Sequence, residues 1–314
     1  MSKFWENKNV SITGGNGFLG KHLTKALETK NPKKISIVKH EDYDLVNSND
    51  VVKMYKDQKP DIVFHLAATV GGIGINKRNP GQFFYVNAIM NLQVIHNAYL
   101  NNVEKIISIG TVSVYPENSP VPFLEDDIWK GYPEETNAPY GIAKRIMHTH
   151  SLSYRKQYNF NSIMLILTNL YGPMDNFKLD SSHVVAALID RFYKAKKNNL
   201  KEVSVWGNGN STRDFCYIED IVSGIILAAE KYNDSKPINL ASGTETTIKE
   251  IAEIIKSQIG YDGKIIWDKN MPIGPNRRNV SIDLAREKID YNPKVSLDAG
   301  IKKTIDWYLK SKNL

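Results

Sequence analysis

Along the first half of the chain, short apolar runs alternate with longer stretches of helical spacing. Asn9-Val10-Ser11-Ile12-Thr13 is a β-prone run, and from Lys21 to Leu27 the apolar positions Leu23, Ala26 and Leu27 recur at helical spacing. Lys34 to Val38 reads as a second strand. Asp61-Ile62-Val63-Phe64-His65-Leu66-Ala67-Ala68 is an apolar run of the kind that fills a buried parallel strand. Phe84 to Leu100, carrying Asn87, reads as a helix, and Lys105 to Ile109 as a strand. Tyr140 to Lys156 reads as a helix and Ser162 to Leu167 as another buried strand. This alternation predicts an α/β fold with a Rossmann-type doubly wound parallel sheet.

From Gly172 onward the periodicity is less regular. Phe177 to Ser182 reads as a loop, and His183 opens a helix that runs to about Lys196. Val203 to Gly209 is a strand and turn, followed by Thr212-Arg213-Asp214-Phe215. Helices at Ile248 to Ile259 and Ser296 to Leu309 then alternate with short strands such as Lys264-Ile265-Ile266-Trp267. These elements predict a smaller, mixed α/β C-terminal lobe that closes over a substrate. Residues 1–172 form the expected nucleotide-binding domain, with some later segments returning to it, and 173–314 mainly the substrate lobe.

Composition narrows the class. The 314 residues are 41% hydrophobic and 24% charged, an ordinary globular balance with ample core. No apolar run approaches the roughly 20 residues that span a bilayer, and Met1 to Glu6 lacks a signal-peptide apolar region. A cytoplasmic protein without a membrane partner is expected. The single cysteine, Cys216, excludes an intramolecular disulfide or a cysteine-based zinc site, and no metal is expected; a buried structural thiol is its expected role. The net charge of +7 comes from scattered lysines interleaved with acidic residues, without the basic and aromatic stripe of a nucleic-acid surface. A basic surface that favours a phosphorylated small molecule fits equally well, so charge alone decides nothing.

Candidate chemistry concentrates in four places. After the first strand comes Gly14-Gly15-Asn16-Gly17-Phe18-Leu19-Gly20, a strand, glycine loop and helix that would bring backbone amides to a pyrophosphate. The second strand ends in Lys39-His40, with Glu41 and Asp42 only afterwards; a cation at Lys39 suits the extra phosphate of NADP, which a carboxylate would repel. The third strand ends in Leu66, Ala67 and Ala68, whose small side chains leave room for a cofactor. Thr111 and Ser113 follow the fourth strand, at the carboxyl edge where open α/β sheets bind ligands. Finally, Tyr140 and Lys144 are four residues apart and share one helical face. A cation beside a phenol favours the phenolate, and such a pair donates a proton to an alkoxide formed when a carbonyl accepts hydride. A lone Y-x-x-x-K pattern recurs by chance; the neighbouring glycine loop gives this one its weight.

Together these residues resemble the extended short-chain dehydrogenase/reductase superfamily. Within it they resemble the GDP-L-fucose synthase family, whose members epimerise and then reduce GDP-4-keto-6-deoxy-mannose. The likeness runs nearly end to end. It includes Val70-Gly71-Gly72-Ile73, Gly110-Thr111-x-x-Val114-Tyr115-Pro116, Pro139-Tyr140-x-Ile142-Ala143-Lys144, Asn169-Leu170-Tyr171-Gly172-Pro173-x-Asp175-Asn176-Phe177 and Trp206-Gly207-x-Gly209. The resemblance implies NADP(H) as cofactor and Tyr140 as the acid that protonates the C4 oxygen. It implies that Lys144 lowers the tyrosine pKa and holds the nicotinamide ribose, and that Thr111 hydrogen-bonds the carbonyl. Leu167, Thr168, Asn169, Leu170 and His183 would line the nicotinamide and sugar site, while Arg191, Trp206 and Arg213 would contact the GDP portion. Arg277 and Arg278 match a basic pair of the family. A homodimer formed by the helices from Phe84 and from Tyr140 is expected by the same analogy.

Two departures shape the expected activity. Ser113 stands where the family has a cysteine, the base that removes protons beside the keto group; a hydroxyl needs a separate strong base to act so. His183, the epimerase partner, is present. Pro272-Ile273-Gly274-Pro275 replaces a stretch that carries a carboxylate in the family. The expected function is NADPH-dependent C4 reduction of a GDP-linked 4-keto sugar, a 6-deoxy hexose or a heptose, with epimerase activity lost or much reduced. The alternatives are a bifunctional epimerase and reductase, and a non-catalytic nucleotide-sugar or NADP-binding protein.

Overall fold

The computed structural model describes residues 3–71, 73–177, 182–270 and 276–312. Its first half alternates β1 (Asn9–Thr13), α1 (Phe18–Glu28), β2 (Lys34–Val38), α2 (Ser48–Gln58), β3 (Ile62–His65), α3 (Ile73–Arg78), α4 (Pro80–Leu100), β4 (Lys105–Thr111), α5 (Ala138–Tyr158) and β5 (Ser162–Leu167). Next come β6 (Asn169–Tyr171), α6 (Val184–Lys197), β7 (Glu202–Trp206), β8 (Thr212–Tyr217), α7 (Ile218–Lys231) and β9 (Ile238–Leu240). The chain then forms β10 (Glu245–Thr247), α8 (Ile248–Ile259), β11 (Lys264–Asp268), β12 (Arg277–Arg278), α9 (Asp283–Ile289) and α10 (Leu297–Lys312).

Six of these strands form one parallel sheet in the order β2-β1-β3-β4-β5-β9. β3 and β5 are buried along their whole length, as helices on both faces of a parallel sheet require. The chain leaves β1 toward β2 and leaves β3 toward β4, in opposite directions. The topological switch therefore falls between the carboxyl ends of β1 and β3, where α/β sheets open a ligand crevice.

Elements beyond the expected set include α2, α7 and β9. α2 starts on Asn47, whose side chain accepts from Asn49 N at 2.9 Å, and stops at Lys59 in a left-handed conformation just before Pro60. α7 packs on α1, and β9 hydrogen-bonds to β5, so these later segments return to the large sheet. The remaining strands make smaller sheets. β8 is flanked by β10 antiparallel and β12 parallel, β6 also pairs with it, and β7 pairs with β11. Cys216, on β8, is buried and lies 3.5 Å from the Tyr291 hydroxyl; burial pushes its thiol up, as a structural role requires. Pro272 to Pro275 and Gly72 lie outside the described residues.

Candidate active site

At the switch point lies a cleft of about 900 Å³. Its floor is the glycine loop. Gly14 has φ +70°, and a Cβ there would stand 2.8 Å from Ala67 N, so the ends of β1 and β3 touch through backbone alone. A Cβ on Gly20 would stand 2.3 Å from Gly14 O, so α1 packs directly on the turn. Gly14, Asn16, Gly17, Phe18, Leu19 and Gly20 line the cleft. Gly15 does not; it packs on Ile37 of β2, whose Cγ2 would stand only 2.7 Å from a Cβ there. Lys39 with His40, and Leu66, Ala67 and Ala68, form further walls. Asn87 of α4 fixes the loop after β3, accepting from Thr69 N at 3.0 Å and donating to Thr69 O at 2.9 Å.

The second wall is the start of α5, held against the loop after β4. Gly141 N donates to Asn137 O at 2.8 Å to begin the helix. A Cβ on Gly141 would lie 2.2 Å from Ser113 O, so only glycine permits this approach. One turn later Arg145 donates from Nε to Val114 O (2.8 Å) and from Nη1 to Gly131 O (2.9 Å). Thr111, Ser113 and Tyr140 consequently line the same cleft as the glycine loop. Thr111 Oγ1 accepts from Ser113 N at 3.3 Å. Among the described residues no carboxylate or imidazole is hydrogen-bonded to the Ser113 hydroxyl.

Lys144 lies beneath this wall, 1% exposed, its ammonium 5.9 Å from the Tyr140 ring centroid and 4.0 Å from Met147 Sδ. Burial lowers Lys144 to about 7 and pushes the Tyr140 phenol above its ordinary value. The lowered phenol expected from the sequence is thus absent in this state. Burial disfavours the charged form of both groups, and an ammonium at that distance does not compensate. With a thioether as its hydrogen-bond partner, Lys144 fits a ribose diol, whose oxygens would meet donors that sulfur serves poorly.

Leu167, Thr168, Asn169, Leu170 and His183 complete the cleft. Thr168 Oγ1 and Asn169 Nδ2 both donate to Asp214 O, at 2.8 and 2.9 Å, which ties this wall to β8. His183 Nδ1 lies 3.6 Å from the buried carboxylate of Asp175, which raises the histidine pKa against the opposing effect of desolvation. Arg213 and Arg278 face the cleft as well. Burial first, and the neighbouring Arg278 cation second, hold Arg213 down to about 10; an anion between them would relieve both effects.

Three other residues fall elsewhere. Arg277 points away and pairs with Glu245 at 2.6 Å, so it is not a wall of the cleft. Arg191 and Trp206 line a separate hollow of about 340 Å³ beside Asp190 and Glu202. The sequence reading missed Asn76 and Asn137, which line the cleft and are joined at 3.0 Å. Asn137 precedes the tyrosine helix as its N-cap, and that position was the available signal.

Residues 10–241 match the model of the NAD dependent epimerase/dehydratase family. The chain belongs to that family. Among curated members, GDP-L-fucose synthase 1 of Arabidopsis thaliana is 36% identical over 307 residues, covering 98% of this chain and 94% of its own length. Among solved structures of related fold, a GDP-6-OMe-4-keto-L-xylo-heptose reductase from C. jejuni superposes with a TM-score of 0.92 at 27% identity, covering 99% of each chain. A GDP-mannoheptose C4 reductase from Campylobacter jejuni with NADP bound gives 0.88 at 27% identity, covering 98% of this chain and 99% of its own. These relatives thus resemble this chain across both the glycine-loop half and the smaller sheets.

Proposed function

We propose that the chain is an NADPH-dependent reductase of the C4 carbonyl of a GDP-linked 4-keto sugar, a 6-deoxy hexose or a heptose. One observation carries the reading: Tyr140 and Thr111 line the cleft of the glycine loop, and so does Ser113, a serine where the resemblance implies a thiol base. The bound nicotinamide would supply hydride. The glycine loop and α1 would hold the pyrophosphate, Lys39 the additional phosphate, and Lys144 the ribose. Thr111 would hydrogen-bond the C4 oxygen, and the Tyr140 phenol would give it a proton as negative charge develops. Arg213 and Arg278 would take the diphosphate, with Arg191 and Trp206 on the nucleotide side. A 3,5-epimerase needs a base and an acid; Asp175 favours protonated His183, which leaves the base unprovided. On the same reading the enzyme is a cytoplasmic homodimer joined through α4 and α5, where Tyr85, Leu100 and Tyr158 are exposed; a monomer in sedimentation equilibrium would remove that part.

The test is turnover of GDP-4-keto-6-deoxy-mannose, and of a GDP-4-keto heptose, with NADPH in heavy water. Loss of NADPH absorbance and a reduced sugar free of deuterium at C3 and C5 is the expected result. Deuterium at those carbons with a fucose product would establish the bifunctional enzyme. An unchanged absorbance with every sugar would leave a binding protein. Ser113→Cys is expected to introduce exchange that the native chain lacks.

A further inference from the structure

His65 ends β3 fully buried, and the reduction described above gives it no part. Its neighbours nevertheless dictate where its proton sits. The Ala67 N–H can only donate, and it donates to Thr13 Oγ1 at 3.2 Å. The Ala143 carbonyl can only accept, and Asn91 Nδ2 donates to it at 3.3 Å. Asn91 therefore turns its oxygen toward His65 Nε2, 2.9 Å away, so Nε2 carries the hydrogen. Nδ1, 2.8 Å from Thr13 Oγ1, is left to accept from the threonine hydroxyl. The chain of bonds runs in one direction, from Ala67 to Ala143. Burial first, and the Lys144 cation second, hold the imidazole down to about 3 against the opposing bond to Asn91.

The two ends of this chain belong to the two walls of the cleft. Ala67 lies against Gly14 at the cofactor loop, and Ala143 precedes Lys144 in the tyrosine helix. Thr13, His65 and Asn91 thereby join β1, β3 and α4 side chain to side chain and reach α5 at the Ala143 carbonyl. We propose that His65, as its Nε2–H tautomer, is a positioning residue that keeps the Tyr140 and Lys144 helix in register with the cofactor loop. The proposal rests on the reductase reading. An apolar side chain of similar size would fill the space but leave the Thr13 O–H donor and the Asn91 Oδ1 acceptor without partners in the core.

The test compares His65→Leu, His65→Gln and Asn91→Leu with the native enzyme. Glutamine offers one acceptor and one donor at a separation close to that of the two ring nitrogens. In folded His65→Leu and Asn91→Leu, kcat for NADPH oxidation is expected to fall about tenfold or more, since small misplacements cost rate steeply. KM for the sugar and Kd for NADPH should change less than kcat, because the glycine loop, Lys39, Arg213 and Arg278 stay in place and only the Lys144 contact shifts. NADPH deuterated at the transferred position should show a larger isotope effect in both variants, and His65→Gln should recover most of the rate. A native kcat in both folded apolar variants, or a loss of thermal stability without a change in kcat, overturns the proposal. If His65→Leu does not fold, Asn91→Leu carries the test with the imidazole in place. Independently, imidazole ¹⁵N shifts showing Nδ1–H or a doubly protonated ring at neutral pH overturn it. Absence of turnover by the native enzyme would strike the reductase reading, and the imidazole spectrum would still decide the polarity of the chain.

Discussion

At the scale of single residues, burial governs the chemistry more than pairing does. Lys144 is drawn down to about 7 and Tyr140 pushed up by the same low-dielectric wall, so each favours its neutral form until ligand atoms supply compensation. A neutral phenol is the form a proton donor needs. Tyr140→Phe is accordingly expected to lower the reduction rate about a hundredfold or more, the usual scale for losing a positioned acid, while NADPH binding stays near native. Fluorescence titration with NADPH beside single-turnover kinetics checks both halves; lost NADPH affinity would make the tyrosine structural. Ser113 shows the converse: a hydroxyl that lines the cleft with no carboxylate or imidazole among the described residues bonded to it to take its proton.

At the scale of elements, the active site depends on how closely α5 meets the loop after β4. Gly141→Ala would place a carbon 2.2 Å from Ser113 O, against backbone rather than a flexible side chain. Overpacking of this kind costs about 1–3 kcal/mol. The variant is expected to lose that much in urea unfolding and to lose reductase rate through displacement of Tyr140 from Thr111; native stability and rate together would show that the loop yields freely. Elements were legible where local signals bracket them. Thr247 and Glu250 form a capping box, with bonds of 3.0 and 2.8 Å, and Gly260 at φ +70° ends α8, so its limits were readable. β9 was not, because three residues carry too little periodicity, and it gains its identity from pairing with β5. α7, from Ile218, carries Glu219 and Asp220 in its first turn and an apolar stripe as marked as that of α6, so its signal was present in the sequence.

At the scale of the whole molecule, two buried histidines and a half-buried one tie stability to pH. His65 is held down to about 3, and His148 and His150 to about 4, chiefly by burial. The unfolded chain takes these protons near 6.5 while the fold refuses them, so stability falls as pH drops below that value. Each fully shifted group contributes a slope of roughly 1.4 kcal/mol per pH unit within its window. Asp214, raised by burial to about 6, acts in the opposite sense below that value and offsets part of one histidine's effect, and Glu125, also raised by burial, acts in the same sense as Asp214. The urea midpoint is therefore expected to fall between pH 7 and pH 5; a flat or rising midpoint would show that these histidines are charged in the fold. What the sequence determined by itself is local. The glycine loop between strand and helix, and Tyr140 and Lys144 on one helical face, follow from spacing that the backbone repeats everywhere. Only the tertiary structure decided which of two adjacent arginines serves the cleft: successive strand residues face opposite ways, so Arg278 enters and Arg277 pairs with Glu245. It alone turned His65, one polar residue in an apolar run, into a bridge between β1 and α5, because its partners lie 52 and 26 residues away and meet it only when the sheet and helices pack.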